Sequence, residues 1–352
     1  MPDAESSPQQ VVEEPLSNLG ALPLTNGAGA AGTELDLLEA PLLPADEARD
    51  IGVPTPSAGE ATQTGGMAIR ILRVFVENKL AVVGAVILVL MVLFCFVGPL
   101  LYHTNQTNAF AAASNLTTFG FPQHPGGKFP LGTDGSGFDI LGRLMYGGQE
   151  SLTIGFVAAM MATIWGVVYG AIAGFFGSWV DALMMRIVDI FLSVPQLLLL
   201  IVLGVLFGTS KILLIIEIAA VAWLVPARLI RGETLTLRVR EYVQAVKVMG
   251  GSRKRIVLRH IIPNTVGTIV VNATFQVADA ILLLAALGFL GLGLQPPATD
   301  WGGMLNTGVE YFADGYWWMI IPAGLCIVLV VVALNFVGDA LRDSLEVRLQ
   351  KR

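Results

Sequence analysis

Five ionisable residues lie near or within long apolar segments, where a charge is costly to bury. They are Asp181, Arg186, Asp189, Glu217 and Asp279. Ionisable side chains at membrane depth line substrate pathways, relay protons or pair with one another. Arg186 and Asp189 are three residues apart, which favours a structural ion pair on one helix. Asp279 falls in the middle of its segment, where it either lines a pathway for a cationic group or pairs within an assembly.

The side chains that usually hold metals or act as nucleophiles form no pattern of a site. Cys95 and Cys326 both lie in apolar runs, and His103, His124 and His260 are widely separated. This usage excludes a disulfide framework and a cysteine-based zinc site. The sequence has no G-x-x-x-x-G-K-[ST] phosphate loop, so we do not expect the chain to hydrolyse ATP. We therefore expect no catalytic residue, no metal and no cofactor on this chain.

The composition is that of a membrane protein rather than of a soluble enzyme. Hydrophobic residues make up 54% of the 352 positions and charged residues only 14%, against about 25% charged in soluble domains. Six apolar segments approach or exceed the roughly 20 residues that cross a bilayer as a helix. They cover residues 80–101, 152–176, 181–207, 211–230, 263–293 and 317–340. The pattern predicts an all-α membrane protein with six spans and a kink at Pro195.

The first 66 residues differ in kind from the rest. They hold eleven acids against one base and contain no aromatic residue. Such a segment cannot bury enough apolar surface to offset its ordering entropy, so we predict a disordered acidic tail. It is either a docking segment for a partner or, as we favour, a passive solvated extension. Residues 67–79 mix apolar and basic side chains and predict an interfacial helix leading into the first span.

Basic residues are concentrated at one end of the predicted bundle. Nine lie between Arg228 and Arg259, and others flank the first and last spans. Loops rich in Lys and Arg remain in the cytoplasm. We therefore expect an inner or plasma membrane protein with both termini cytoplasmic, including the short tail 347–352. Residues 102–151 and 294–316, whose only bases are Lys128 and Arg143, then face outward.

The basic loop at about 231–262 has the pattern of two short helices. Apolar residues at helical spacing between positions 233 and 249 predict one amphipathic helix. Gly250 and Gly251 would end it, and Ser252 would cap a second, basic helix. Pro263 would then open the fifth span. An apolar stripe at a membrane surface needs a cover, which the bundle, lipid headgroups or a groove on a soluble partner can provide.

This loop resembles the cytoplasmic signature loop of binding-protein-dependent ABC importer permeases. The residues that carry the resemblance are Glu241, Tyr242, Val243, Gln244, Ala245, Val246, Met249, Gly250, His260 and Pro263. In that family a Glu-Ala-Ala triplet precedes a glycine, and Gln244-Ala245-Val246 occupies the triplet here. The resemblance implies a coupling region that is seated in a groove of an ATPase subunit.

Further matches extend the resemblance over residues 70–346. They indicate the dipeptide/oligopeptide/nickel branch of the family and, within it, the second of the two permease subunits. They occur at residues 81–84, 130–134, 139–143, 287–297, 301–302, 335–339 and 341–343. The resemblance implies a type I importer fold for residues 80–346. It implies a homologous six-span permease, two ATPase subunits that hold ATP and Mg, and an extracytoplasmic solute-binding protein as partners. A peptide substrate is implied, and no nucleic acid.

The resemblance also suggests which outer residues would meet the binding protein. Gln295, Asn306 and Tyr311 are candidate contacts in the outer loops, while Trp317 and Trp318 fit an interfacial aromatic belt. Nickel or another small solute stays open as the substrate, because the binding protein largely sets that choice. A self-contained secondary carrier would show internal repeats or a row of charges through the spans, and neither is evident.

Overall fold

The computed structural model describes residues 75–117 and 120–350, with side chains described as far as residue 345. This part of the chain is almost wholly helical and contains no β-strand. Its helices are α1 (Lys79–Phe96), α2 (Gly98–Leu101), α3 (Ala109–Ala113), α4 (Ile140–Phe176), α5 (Ser178–Leu192), α6 (Gln196–Phe207), α7 (Lys211–Ala222), α8 (Leu224–Leu237), α9 (Glu241–Val248), α10 (Arg253–Ile256), α11 (Ile262–Phe289), α12 (Trp301–Phe312) and α13 (Ile321–Gln350). The predicted acidic tail 1–66 and most of the predicted interfacial helix 67–79 lie outside the described residues.

Helices that are long and apolar enough to cross a membrane provide six spans when each bent pair counts as one. Four are single helices, namely α1, α4, the continuous helix Arg253–Phe289 and the helix Trp317–Leu345. The other two are the pairs α5–α6 and α7–α8, which are bent by 82° and 40°. The predicted fold class is thereby confirmed.

The 82° bend follows from Pro195. Helix α5 ends at Leu192, and α6 begins directly after the proline, at Gln196. Proline has no backbone N–H and its ring clashes with the carbonyl of the preceding turn, so a straight helix cannot run through it. The Ser193 hydroxyl donates a hydrogen bond to the Ile190 carbonyl (2.7 Å), which satisfies one of the groups exposed at the break.

Helix α4 is the centre of the bundle and packs closely against α8. A Cβ at Gly170 would lie only 2.3 Å from the Ala227 carbonyl oxygen. Small residues let membrane helices approach backbone to backbone. The contact fixes α8, which leads directly into the basic loop, against the core of the protein.

Helix α4 is also longer than the sequence predicted. It begins at Ile140, twelve residues before the expected start of the second span. The Asp139 carboxylate accepts a hydrogen bond from the Gly142 N–H at 2.9 Å and so caps the helix. Hydropathy detects only the lipid-spanning part of a helix, and these additional turns pack under the loops at one end of the bundle.

Ion pairs join the two bent pairs of helices. Asp181 on α5 accepts two hydrogen bonds from the Arg231 guanidinium on α8, both at 2.7 Å. Asp189, also on α5, pairs with Arg228 on α8. The expected pair between Arg186 and Asp189 is therefore wrong, because a neighbouring helix supplies the partner of the Asp189 carboxylate.

Candidate coupling loop and outer cavity

The basic loop contains a helix that is shorter than predicted. Residues 233–249 are not one helix, because α8 ends at Leu237 and α9 begins at Glu241. The Arg238 guanidinium donates to the Gly174 carbonyl near the end of α4 (3.0 Å), and Gln244 donates to the Arg238 carbonyl (2.8 Å). These two bonds hold the chain at the break and set the direction of α9.

The apolar side chains of this loop face in two directions. Val243 is buried and packs with Ile256 and Ile261 in a small cluster. On the other side Val248 and Met249 are 87% and 76% exposed, and Tyr242 is also exposed. One turn of α9 thus anchors the loop to the bundle, while its tip presents apolar surface that no described residue covers.

The turn after α9 depends on glycine. Gly250 has φ +81°, a left-handed conformation that a side chain would strain, although nothing lies within 4 Å of a Cβ placed there. Ser252 then caps α10 by accepting a hydrogen bond from the Arg255 N–H (3.4 Å). The predicted end and cap of the two loop helices are therefore present.

The second loop helix is not separate from the fifth span. Helix α10 continues through a π-helical turn, Val257–Ile261, directly into α11. The Ile262 N–H donates to the Val257 carbonyl five residues back, and Pro263 follows in the first turn of α11. A π turn is a frequent site of helix irregularity, and here it carries His260, whose carbonyl accepts from the Asn264 side chain (2.6 Å).

The loop is strongly positive. Nine bases and only two acids, Glu233 and Glu241, lie between residues 228 and 259. Arg228 and Arg231 are paired with the acids of α5. The exposed bases near the tip are Arg240, Lys247, Arg253, Lys254, Arg255 and Arg259. The loop therefore combines an apolar tip with a basic surround.

Two further acids of the spans, Asp279 and Glu217, lie in different environments. Asp279 on α11 is exposed between the buried residues Ala278 and Ala280, and no hydrogen bond or ion pair of the described residues engages it. Glu217 on α7 is 4% exposed, and neither of its carboxylate oxygens has a hydrogen-bond partner among those residues. Asp279 thus faces away from the core of this chain, whereas Glu217 faces into it.

The opposite end of the bundle carries a cavity of about 620 Å³. The three outer-loop residues that the sequence proposed, Gln295, Asn306 and Tyr311, all line it. Hydrogen bonds within the chain fix the side-chain amides of Asn306 and Gln295. Asn306 donates to the Phe289 carbonyl at the end of α11 (2.7 Å), and Gln295 donates to the Thr209 hydroxyl (3.2 Å).

An ion pair forms one wall of this cavity. The Arg143 Nε donates to the Asp134 carboxylate (3.3 Å), and its Nη1 donates to the Pro297 carbonyl (2.8 Å). Burial raises the pKa of the Asp134 carboxyl, and the Arg143 charge opposes that rise. The bond to Pro297 ties the first outer loop to the last.

Asp300 holds the last outer loop at the start of α12, a role that the sequence analysis did not predict. It is fully buried at the start of α12 and accepts hydrogen bonds from the Leu294 and Gly303 N–H groups, both at 2.9 Å. Burial raises the pKa of this carboxyl, and the backbone donors oppose the rise. The following residue, Trp301, is buried and donates to the Leu144 carbonyl (3.0 Å). An acid directly before Trp-Gly-Gly was the available signal of this cap.

The two adjacent tryptophans that the sequence assigned to an aromatic belt differ in exposure. Trp317 is exposed, as expected. Trp318 is buried, makes an edge-on contact with Tyr316 and a tilted ring contact with His124, and donates to the Thr133 carbonyl (3.3 Å). The belt assignment of Trp318 is therefore wrong, because its indole packs between the two outer loops.

Six candidate membrane spans, with an exposed basic loop at one end and a cavity at the other, define a multi-spanning membrane protein. Residues 166–351 match the family model of the binding-protein-dependent transport system inner membrane component. Residues 67–117 match the N-terminal TM domain of oligopeptide transport permease C. The chain belongs to this family of ABC transporter permeases, which confirms the resemblance seen in the sequence.

Curated relatives share most of the chain. The oligopeptide transport system permease protein OppC of Haemophilus influenzae is 39% identical over 279 residues, 78% of this chain and 86% of the relative. The dipeptide transport system permease protein DppC of Alkalihalophilus pseudofirmus is 39% identical over 274 residues, 78% of this chain and 88% of the relative. A solved chain of the MetNI methionine ABC transporter aligns with 57% of this chain, and 95% of the solved chain is covered, at 22% identity and a TM-score of 0.47.

Proposed function

We propose that this chain is one of two permease subunits of an ATP-driven importer for dipeptides or oligopeptides. It forms half of the translocation pathway together with a homologous six-span permease. Two ATPase subunits, which hold ATP and Mg, bind at the basic loop, and an extracytoplasmic solute-binding protein delivers the peptide. The peptide class is supported by the OppC and DppC relatives, which cover more than three quarters of the chain.

The observation that carries this proposal is the exposed tip of the basic loop. Tyr242, Val248 and Met249 are exposed next to a buried anchor, Val243. Exposed apolar side chains on a short rigid helix are typical of a segment that docks in a groove of a protein partner. In this arrangement α9 transmits ATP-driven movement of the ATPase pair to the spans through α8 and α11. The pathway between the spans then opens alternately to the two sides of the membrane.

Orientation and pathway complete the proposal. The basic loop and both ends of the chain are cytoplasmic, because the bases are concentrated there. Asp279 lines the pathway, where its carboxylate meets the amino group of a passing peptide. Its exposure on the mid-part of α11 supports this placement, since a carboxylate facing lipid would be costly.

Co-purification from native membranes in mild detergent, with mass spectrometry of every partner, tests the proposal. We expect a second six-span permease, two ATPases with phosphate loops and a solute-binding protein. The solute recovered with that binding protein then distinguishes a peptide from nickel or another small solute. A chain that purifies alone, stable and without an ATPase, would instead indicate a self-contained carrier.

A further inference from the structure

The outer cavity holds a carboxylate that has no partner inside the chain. Glu310 on α12 is exposed and lines the cavity. No hydrogen bond or ion pair among residues 75–117 and 120–345 engages it. The other charged groups of the lining, Asp134 and Arg143, pair with each other at 3.3 Å. The lining therefore carries one unbalanced negative charge.

Two amide side chains that line the same cavity, those of Asn306 and Gln295, add acceptor groups to it. Asn306 and Gln295 both use their side-chain N–H groups within the chain, on the Phe289 carbonyl and the Thr209 hydroxyl. Their amide oxygens accept no hydrogen bond from the described residues and remain for a ligand. A carboxylate with two amide oxygens fits a group that only donates, and Lys and Arg side chains have that property.

The surrounding surface has the same sign of charge. Residues 102–151, 208–211 and 294–316 contain six acids and three bases. Glu150 pairs with Lys211 at 2.7 Å, and Asp139 and Asp300 cap helices. Glu310 and Asp314 remain as exposed acids without a partner in the described chain, and only Glu310 lines the cavity. Charge complementarity of this kind fixes which positively charged partner surface docks at an interface.

We propose that the outer cavity is the socket for a lysine or arginine side chain of the extracytoplasmic solute-binding protein, with Glu310 as its ion-pair partner. This inference rests on the proposed function, because the occupant is the partner that delivers the solute. The cavity of about 620 Å³ has room for one long side chain together with part of the loop that carries it. The acceptor groups select a cationic side chain over an acidic one.

The test measures the dissociation constant between the whole complex in lipid nanodiscs and its purified solute-binding protein. Glu310→Lys should weaken binding by about 10-fold or more, and Glu310→Gln by about 3-fold, because an interfacial charge pair is lost or reversed. The effect should shrink between about 50 mM and 300 mM salt, as expected for a partly exposed pair. Ala298→Trp, which places a large side chain in the cavity without a change of charge, should also weaken binding.

Asp314→Lys is the matched control, since it reverses an exposed acid of the same outer segment outside the cavity. It should change the dissociation constant by less than about 3-fold, because an exposed charge outside the cavity stays hydrated and screened by salt. Equal losses for both reversals would overturn the socket in favour of a diffuse field. An unchanged dissociation constant for Glu310→Lys would also overturn the socket. So would loss of the second permease from the complex that carries this variant. A wild-type complex that binds no such protein would instead overturn the proposed function itself.

Discussion

Two buried carboxylates show how differently single residues are treated in this protein. Asp300 is 0% exposed and accepts two backbone hydrogen bonds of 2.9 Å. Glu217 is 4% exposed, lies beside Gly204 and Leu292, and has no partner for either oxygen among the described residues. A buried polar group without hydrogen bonds costs about 1–3 kcal/mol. Backbone donors therefore fix one of these carboxylates, whereas the other has no hydrogen bond within the described residues.

We predict that Glu217→Met leaves the free energy of unfolding of the complex unchanged or raises it by about 1 kcal/mol. The reason is that an unbranched apolar side chain replaces the carboxyl group that has no hydrogen bond. The apparent melting temperature in nanodiscs measures the effect. Asp300→Leu is the contrasting variant and should lower the melting temperature, since two backbone donors lose their acceptor. If Glu217→Met lowered the melting temperature as much as Asp300→Leu does, the Glu217 carboxyl would have a stabilising partner.

Among the elements, the turn between α9 and α10 depends on the backbone conformation of a single glycine. Its φ of +81° at Gly250 costs a side chain about 1–2 kcal/mol. The position has open space, so the strain acts through the direction of the loop helix and not through a clash. This turn sets how the exposed tip is presented.

We predict that Gly250→Val leaves membrane insertion and assembly intact and reduces transport by about 10-fold or more, since strain of this size shifts the loop from its working geometry. ATP turnover should persist, so the two rates separate. Gly232→Val is the matched control, because Gly232 lies inside α8 with nothing within 4 Å of its Cβ and an ordinary φ. Normal uptake by Gly250→Val would contradict the assignment of this loop to coupling.

For the whole molecule, charge distinguishes the two ends. The basic loop has nine bases against two acids, whereas the outer segments have six acids against three bases.

The native thiols do not complicate a topology measurement, because Cys95 is buried and Cys326 is half-buried within the core of the spans.

We therefore predict that a membrane-impermeant maleimide labels Lys128→Cys in intact cells and Lys254→Cys only after permeabilisation, because basic loops stay in the cytoplasm. Both positions are exposed. The unaltered chain, with its two core cysteines, is the control and should label weakly in either case. The reverse pattern would overturn the orientation and exchange the proposed ATPase and binding-protein ends.

The sequence alone determined the features that depend on neighbours along the chain. Apolar run length located the six spans, Pro195 located the sharp bend, and Gly250 with Ser252 located the turn and cap of the basic loop. Each of these follows from backbone chemistry within a few residues. Hydrophobic periodicity could not show the break after Leu237, because apolar spacing continues across it.

Tertiary structure decided which distant groups meet. Arg238 donates to a carbonyl 64 positions away in sequence, and this bond lies at the break in the predicted loop helix. Trp318 donates to a carbonyl 185 positions away and is therefore buried instead of lying in an aromatic belt. Gln295, Asn306 and Tyr311 line one cavity, and the hydrogen bond from the Leu294 N–H to Asp300 holds the last outer loop against the start of α12. Hydropathy records how deep a segment lies in the membrane but not which helices become neighbours. The partners of polar side chains therefore depend on packing between segments far apart in the chain.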